Sequence, residues 1–389
     1  MSWSLAAVVG VAVGGLAVVV IVVGLICLYL FRWKGLSNKA SETASSDPST
    51  LVEWHGAGEV SSSCGAPPDH HGARKFSLGE LEQASNEFSE NNLVGVGSFG
   101  LVYKGLLLDG TLVAIKRRRR APRPEFVEEI ILMNQVHHLS AIRHRNLVTL
   151  IGYSQEGGLQ MLVFEYLPNR SIRGHLYESG TNQTTKLEFK QRLSVAIGAA
   201  KGLAHLHSLS PPLIHRNFKT SNVLVDENFI AKVADAGLIQ LLERMDGAGS
   251  SQASVNDIFQ DPQVEQMGVQ PSESSDAYSF GVFLLELITG REVESLMVQA
   301  PSETLTKVVE AHLRSETFID GRLGNSYTYE GMKEFVVLTL RCLSSAGRRP
   351  KMEHVVRELD RILETEMTLT TVMGDGTAIV TLGSQLFTS

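Results

Sequence analysis

Residues 215–222 read His215-Arg-Asn-Phe-Lys-Thr-Ser-Asn222. The side chain of Asn217 is a carboxamide, which can orient a hydroxyl group by hydrogen bonding. It offers no carboxylate that could take up a proton at neutral pH. Any chemistry assigned to this stretch therefore has to proceed without a proton acceptor at residue 217.

A glycine-rich motif lies upstream, where residues 95–102 read Gly95-Val-Gly-Ser-Phe-Gly-Leu-Val102. Glycines at this spacing let backbone N–H groups approach phosphates, although G-x-G-x-x-G alone could equally open a Rossmann fold. The context decides between them, because Val102 and Tyr103 continue as a strand and Val113-Ala-Ile-Lys116 follows as a second one. This order favours a hairpin that covers phosphates, followed by a strand that carries a lysine.

These motifs, in this order, resemble those of the protein kinase family, and the stretch from Phe76 onward resembles plant receptor-like serine/threonine kinases. Residues 215–222 match the family pattern H-R-D-x-x-x-x-N, with Asn217 at the Asp position. Asp235-Ala-Gly237 stands where D-F-G is expected. The resemblance runs to about Glu364 and implies an α+β, bilobal protein-kinase fold that uses ATP and Mg²⁺.

The resemblance also implies the catalytic and metal-binding residues. Asn217 and Lys219 would stand at the catalytic positions, and Asn222 and Asp235 would hold Mg²⁺. A lysine at the position of Lys219 is typical of serine/threonine kinases.

Nucleotide binding would centre on Lys116, which pairs with the phosphates and with a glutamate of the next helix. The family pattern selects Glu129 for that glutamate, with Glu128 as the fallback, and it makes Phe164 the residue at the back of the adenine pocket. The implied cofactor-binding residues are Gly95, Val96, Gly97, Ser98, Phe99, Gly100, Val102, Ala114, Lys116, Glu129, Glu165 and Leu167.

Several positions depart from the family pattern. Ala236 replaces a phenylalanine that packs between the lobes, and such a loss costs about 3–5 kcal/mol when nothing fills the hole. Residues 255–263 lack the Gly and Thr of the substrate-docking loop. Gln263 replaces a glutamate that pairs with a late arginine, Arg349, and a neutral side chain cannot form that ion pair.

Two functions remain in competition. One is a pseudokinase that binds ATP and serves as a signalling scaffold, and the other is an active serine/threonine kinase that transfers the γ-phosphate to proteins. General-base catalysis contributes about 10²–10⁴-fold, so loss of the Asp alone leaves room for residual transfer. The concerted loss of the docking loop favours the pseudokinase.

Residues 5–31 form an apolar run without a charged side chain, long enough to span the bilayer as a helix. A cleaved signal peptide is the alternative, but it would have a positive end before a shorter apolar region. Arg32, Lys34 and Lys39 follow the run, which predicts a single-pass protein with the kinase-like part in the cytoplasm, at the plasma membrane. Gly10 and Gly14 have the spacing of a helix-dimerisation motif, which raises the option of a homodimer through the span.

The segments then follow in order: an extracellular stub (residues 1–4), a transmembrane helix (5–31), a juxtamembrane linker (32–75), an extension (76–92), the amino-terminal lobe (93–166), the carboxy-terminal lobe (167–364) and a tail (365–389). The stub is too short to bind a ligand, so we expect a partner, another receptor kinase or a signalling protein. A gene product that has lost an ectodomain is the alternative.

The whole chain has 389 residues, 43% hydrophobic and 20% charged, with a formal net charge of −7, which gives no indication of a nucleic-acid partner. Its cysteines are few and far apart, which argues against a disulfide framework. They are Cys27, Cys64 and Cys342.

Overall fold

The computed structural model of the chain describes residues 72–118, 125–177, 187–246, 257–297, 305–312 and 318–372. The predicted membrane span, residues 5–31, lies outside these ranges, as does most of the predicted linker. Among the helices within the ranges, none has the length and apolar character that crossing a bilayer requires.

The amino-terminal lobe is built on a six-stranded sheet with strand order β1-β5-β6-β4-β3-β2. Its first strand pairs in parallel with β5, whereas the other neighbours are antiparallel. The strands are β1 (Arg74–Lys75), β2 (Leu93–Val96), β3 (Gly100–Leu106), β4 (Leu112–Arg118), β5 (Leu150–Glu156) and β6 (Leu159–Glu165). A second, two-stranded sheet contains β7 (Val223–Val225) and β8 (Ala231–Val233).

The remaining chain is largely helical. The helices are α1 (Leu78–Ser85), α2 (Glu125–Ser140), α3 (Ile172–Tyr177), α4 (Phe189–Ser208), α5 (Leu238–Asp246), α6 (Pro262–Met267), α7 (Glu273–Thr289), α8 (Val293–Met297), α9 (Leu305–His312), α10 (Tyr329–Leu343) and α11 (Met352–Val372). Short 3₁₀ turns cover Glu90–Asn92, Thr220–Asn222, Gly321–Leu323 and Ala346–Arg348.

The hairpin of β3 and β4 places the glycine-rich motif beside the lysine strand. Val102 pairs with Lys116 in its register, and Lys104 pairs with Ala114. A tight turn connects the strands, in which the Asp109 carboxylate accepts a hydrogen bond of 2.8 Å from the Thr111 N–H. Asp suits such turns because its side chain hydrogen-bonds to nearby backbone, and Gly suits them because its backbone is less restricted.

Helix α7 lies at the centre of the carboxy-terminal lobe. Every residue from 275 to 289 is buried, as expected for a helix that is apolar nearly all round. It ends at Gly290, which has φ +62° and donates to the Glu286 carbonyl, a left-handed cap that glycine adopts without strain. Helices α4 and α10 pack against it.

This arrangement, a sheet-based lobe followed by a helical lobe, confirms the α+β, bilobal fold expected from the sequence. Two details of the segment boundaries differ from the expected ones. Strand β1, residues 74–75, lies within the predicted linker and joins the sheet. Helix α11 continues to Val372, so its last turns lie in the segment assigned to the tail.

Candidate functional site

Helix α7 holds the loop of residues 213–222 in place through hydrogen bonds. The Asp276 carboxylate accepts backbone N–H bonds from His215 at 2.7 Å and from Arg216 at 2.9 Å. His207 Nε2 lies 2.8 Å from the same carboxylate. Arg216 has φ +66°, an uncommon backbone conformation that persists only when surrounding bonds hold it. Asp276 therefore sets the path of the chain into residue 217.

His215, within this loop, is fully buried, and burial lowers the pKa of its imidazole. Its Nδ1 is 3.3 Å from the Asn217 N–H, and its Nε2 is 2.8 Å from the Ala234 carbonyl oxygen. A neutral ring protonated on Nε2 satisfies both bonds, since Nδ1 then accepts and Nε2 donates. His215 thus joins residue 217 to the strand that leads to Asp235.

The catalytic-loop residues predicted from the sequence do lie together. Asn222 Nδ2 donates to the Asn217 carbonyl at 2.8 Å, which fixes the orientation of the Asn222 amide. Thr220, between them, donates its hydroxyl to the buried Glu286 carboxylate at 2.7 Å. Lys219 Nζ is 3.4 Å from Asp257 Oδ2, a carboxylate that the sequence reasoning did not single out.

Lys116 and Asp235 form a direct ion pair, and their side chains are only 12% and 5% exposed. The Lys116 ammonium also lies 5.2 Å from the centre of the Phe164 ring. Asp235 has φ +66°, a strained backbone conformation of the kind that is common at functional sites. The expected partner Glu129 belongs to helix α2, but its side chain, like that of Glu128, lies outside what the structure describes.

The glycine-rich segment forms a tight hairpin at the end of β2 and β3. The Gly97 N–H donates to the Gly100 carbonyl at 2.8 Å. Gly100 has φ +153°, and a Cβ there would meet the Arg117 carbonyl oxygen at 2.0 Å, so only glycine fits. Gly95 and Gly97 have open space around them. Phe99 of this hairpin is buried, at 3% exposure.

The remaining nucleotide-site candidates lie on adjacent strands and at their ends. Ala114 pairs with Phe164 across β4 and β6. The Glu165 carboxylate is bonded to Lys232 Nζ at 2.9 and 3.0 Å, and Leu167 is buried just beyond it. The structure therefore brings the strand residues and the loop residues to one region between the lobes.

Ala236 lies half-buried at the point where the phenylalanine of the family pattern would sit. A cavity of 20 Å³ remains there, hardly more than one water occupies. At about 24 cal/mol per Å³ such a cavity costs about 0.5 kcal/mol, far below the cost of an unfilled hole. The residues that line this cavity with Ala236 include Leu139, Leu150, Leu162, Phe164 and Leu238.

Arg349 has an acidic partner in the structure, although it is not the residue at position 263. Gln263 is indeed neutral, but Arg349 Nη2 is 3.0 Å from Asp261 Oδ1, and Nη1 bonds the other oxygen. Both side chains are 3% exposed. Asp261 also caps helix α6 by accepting from the Gln263 N–H at 3.1 Å. A carboxylate earlier in the chain therefore takes the role of the missing glutamate.

Sequence reasoning also missed helix α5, which begins directly after Asp235-Ala-Gly237. Arg216, one residue before Asn217, forms a two-bond ion pair with Glu243 of this helix, at 2.6 and 2.7 Å. The signal was present, because apolar residues recur at helical spacing at 238, 241, 242 and 245.

Comparisons with known proteins identify the family and the fold. A family model described as protein tyrosine and serine/threonine kinase matches residues 88–359. A probable leucine-rich repeat receptor-like protein kinase of Arabidopsis thaliana is 36% identical over 346 residues, which is 86% of this chain and 35% of that protein. A proline-rich receptor-like protein kinase of the same plant is 37% identical over 298 residues, 73% of this chain and 56% of that protein. The chain thus spans between about a third and just over half of these relatives.

Two solved structures share the fold. The pseudokinase domain of BIR2, described as an immune regulator of the RLK/Pelle family, has a TM-score of 0.57 at 29% identity, over 74% of this chain and 86% of that one. An apo pseudokinase has a TM-score of 0.55 at 24% identity, over 75% of this chain and 97% of that one, which shows the fold alone.

Proposed function

Because the chain belongs to the protein kinase family, with plant receptor-like kinases as relatives, we propose that it is a membrane-anchored receptor-like pseudokinase that binds Mg-ATP and acts as a signalling scaffold. The observation that carries the proposal is Asn217, a carboxamide at the position of the catalytic carboxylate. The likeness to the BIR2 pseudokinase supports it.

The residues present fit Mg-ATP. Asp235 and Asn222 supply the hard oxygen ligands that Mg²⁺ prefers, and Asn222 is oriented by its bond to the Asn217 carbonyl. Bound Mg²⁺ supplies charge neutralisation between phosphates. Lys116 would hold phosphate oxygens, and the open backbone around Gly95 and Gly97 leaves room for them. The Lys116–Asp235 ion pair has to loosen for this to happen.

The rest of the site supports weak transfer at most. Lys219 is engaged by Asp257, and no side chain at residue 217 can accept the proton of a substrate hydroxyl. An active serine/threonine kinase is the second candidate, favoured by the presence of Lys116, Lys219, Asn222 and Asp235.

Nucleotide binding is tested by thermal unfolding of the full chain in detergent, with and without Mg-ATP. Binding to the folded state alone raises the melting temperature as RT ln(1 + [L]/Kd) dictates. We expect a shift at millimolar Mg-ATP, and a much smaller one for Lys116→Met. Equal melting curves for the wild type with and without nucleotide would refute the binding half of the proposal.

We also propose that residues 5–31 anchor the chain in the plasma membrane and that the kinase-like part faces the cytoplasm. The partner would be another receptor kinase or signalling protein, and a homodimer through Gly10 and Gly14 is a further option. The apolar run and the cations at residues 32, 34 and 39 support this topology.

A further inference from the structure

Two histidines from distant parts of the chain stack on each other. His144 lies in the loop after α2 and His205 lies in α4, and their ring centres are 4.7 Å apart with an angle of 13° between the ring planes. Both residues are half-buried. Within the described part of the chain neither ring forms an ion pair with a carboxylate, and the charged groups that act on His144 are His205 and Arg145. A charged ring in this stack therefore has no neutralising anion.

His144 also holds the backbone that follows it. Its Nδ1 accepts a hydrogen bond of 3.2 Å from the Asn146 N–H, so the neutral ring carries its proton on Nε2. A second proton would enter at Nδ1 and would point at the Asn146 N–H, because both nitrogens of a charged imidazole are donors. Protonation of His144 is thus incompatible with this bond.

The loop that His144 holds is bonded to strand β8, which leads to Asp235. Asn146 is buried, and its Nδ2 donates to the Ala231 carbonyl at 2.8 Å. The Asn146 carbonyl accepts from the Val233 N–H at 2.9 Å. The loop and β8 therefore form one hydrogen-bonded unit next to the candidate metal ligand.

The surroundings of His144 disfavour its charged form. Burial lowers its pKa from the ordinary value of 6.5, and the positive charges of His205 and Arg145 lower it further. The unfolded chain then takes up the proton more readily than the folded one, so the stabilisation is present above pH 6.5 and is lost as pH falls below that value. The transition therefore lies on the acid side of neutrality.

We propose that the His144–His205 stack is a pH-sensitive switch, in which protonation of His144 breaks its bond to the Asn146 N–H and frees residues 144–148 from strand β8. Histidine is the side chain whose ordinary titration lies within the physiological range. The consequence for nucleotide rests on the proposed function, since β8 leads to Asp235. The release of the loop does not.

Hydrogen–deuterium exchange of the full chain in detergent, at pH 8 and at pH 5, tests the release without nucleotide. The His144→Asn variant offers a side-chain carbonyl oxygen to the N–H two residues later, a bond that Asn readily forms, and its amide does not titrate. Protection factors remove the intrinsic pH dependence of exchange. Between the two pH values we expect protection of residues 144–148 and 231–234 to fall about tenfold more in the wild type than in His144→Asn. Other titrating groups are common to both proteins and cancel.

Two further variants complete this experiment. His205→Phe keeps an aromatic ring on α4 but removes its charge, so the transition should move to higher pH. His138→Asn, at an exposed histidine of α2, is the matched control and should behave as the wild type.

Equal loss of protection in the wild type and in His144→Asn would overturn the proposal. So would loosening of residues 144–148 with unchanged protection of β8, because the loop would then move alone. If His144→Asn fails to fold, His205→Phe decides, and a transition at the pH of the wild type would overturn the switch.

Calorimetric titration with Mg-ATP separates this proposal from the function beneath it. Proteins are compared at the same pH, because the phosphates of ATP also titrate in this range. We expect equal affinities at pH 8, and at pH 5 about tenfold weaker binding by the wild type than by His144→Asn. Equal, measurable affinities at both pH values would overturn the effect on nucleotide and leave nucleotide binding standing. No binding by either protein at pH 8 would refute the proposed nucleotide binding, and the exchange experiment would then decide whether the loop is released.

Discussion

Asn217 is the residue that most directly limits chemistry at this site. If it were the only defect, Asn217→Asp would raise phosphate transfer by about 10²–10⁴-fold. We expect less than tenfold on a generic peptide, because Arg216 and Lys219 are engaged by Glu243 and Asp257, and positioning carries much of the rate in phosphoryl transfer. Transfer is measured with radiolabelled ATP, with Asn217→Ala as the control.

A single Asn217→Asp substitution that produced ordinary kinase rates, about 1–100 per second, would contradict this expectation. The pseudokinase assignment would then rest on one residue alone.

Ala236 gives a second test at the residue scale. Because only 20 Å³ remains beside it, a phenylalanine ring does not fit without displacing Leu238 or Leu139. We expect Ala236→Phe to lower the free energy of unfolding by about 1–3 kcal/mol, the usual cost of overpacking. Urea unfolding measures this, and Ala236→Ser, which adds one atom, should cost less. A stabilised Ala236→Phe variant would show that the hole had not been refilled.

Individual contacts were the hardest feature to infer from the sequence. The aligned position of Gln263 correctly indicated a lost carboxylate, but the family pattern has no means of showing that Asp261 reaches Arg349 instead. Whether a nearby carboxylate can substitute depends on distances of a few ångströms, which spacing along a chain does not determine. The pairing of Glu129 with Lys116 remains a prediction.

Helix α7 carries a pH-dependent contribution to stability. Burial raises the pKa of Glu286 to about 7, although bonds from Thr220 and the Val293 N–H oppose the shift. The folded state therefore holds a proton between the ordinary pKa of 4.5 and about 7 that the unfolded state has released. The stabilisation is present at low pH and is lost as pH rises through that window.

We therefore expect Glu286→Gln to gain stability relative to wild type, by about 1–3 kcal/mol, between pH 5 and pH 8. Urea unfolding at the two pH values measures the difference, in which the contributions of His215 and His144 cancel. The exposed Glu358→Gln serves as the control. A difference between the two proteins that does not change with pH would contradict the assignment.

Strands and helices with a strong sequence pattern could be predicted from the sequence. A helix that packs against a distant part of the chain could not. The glycine hairpin and the lysine strand follow from glycine spacing and β-branched residues, as β2, β3 and β4 show. Helix α5 was missed although apolar residues recur there at helical spacing. It packs against α2 and is joined to the loop before Asn217 by the Arg216–Glu243 ion pair.

At the scale of the whole molecule, the topology is still a prediction. A protease added outside intact cells should leave the kinase-like part uncut, since the cations at residues 32, 34 and 39 hold that end inside. Immunoblotting before and after permeabilisation measures this. A glycan on Asn182, within an N-x-T pattern, would show the opposite orientation, because only the outer side is glycosylated.

The central claim is that this kinase fold binds nucleotide without transferring phosphate at a kinase's rate. The most direct measurement is incorporation of radiolabelled γ-phosphate by the full chain, at a Mg-ATP concentration that shifts its melting temperature, beside Lys116→Met. We expect wild-type incorporation to stay near the level of Lys116→Met. Incorporation by the wild type at about 1–100 per second, abolished in Lys116→Met, would contradict the claim and identify an active kinase.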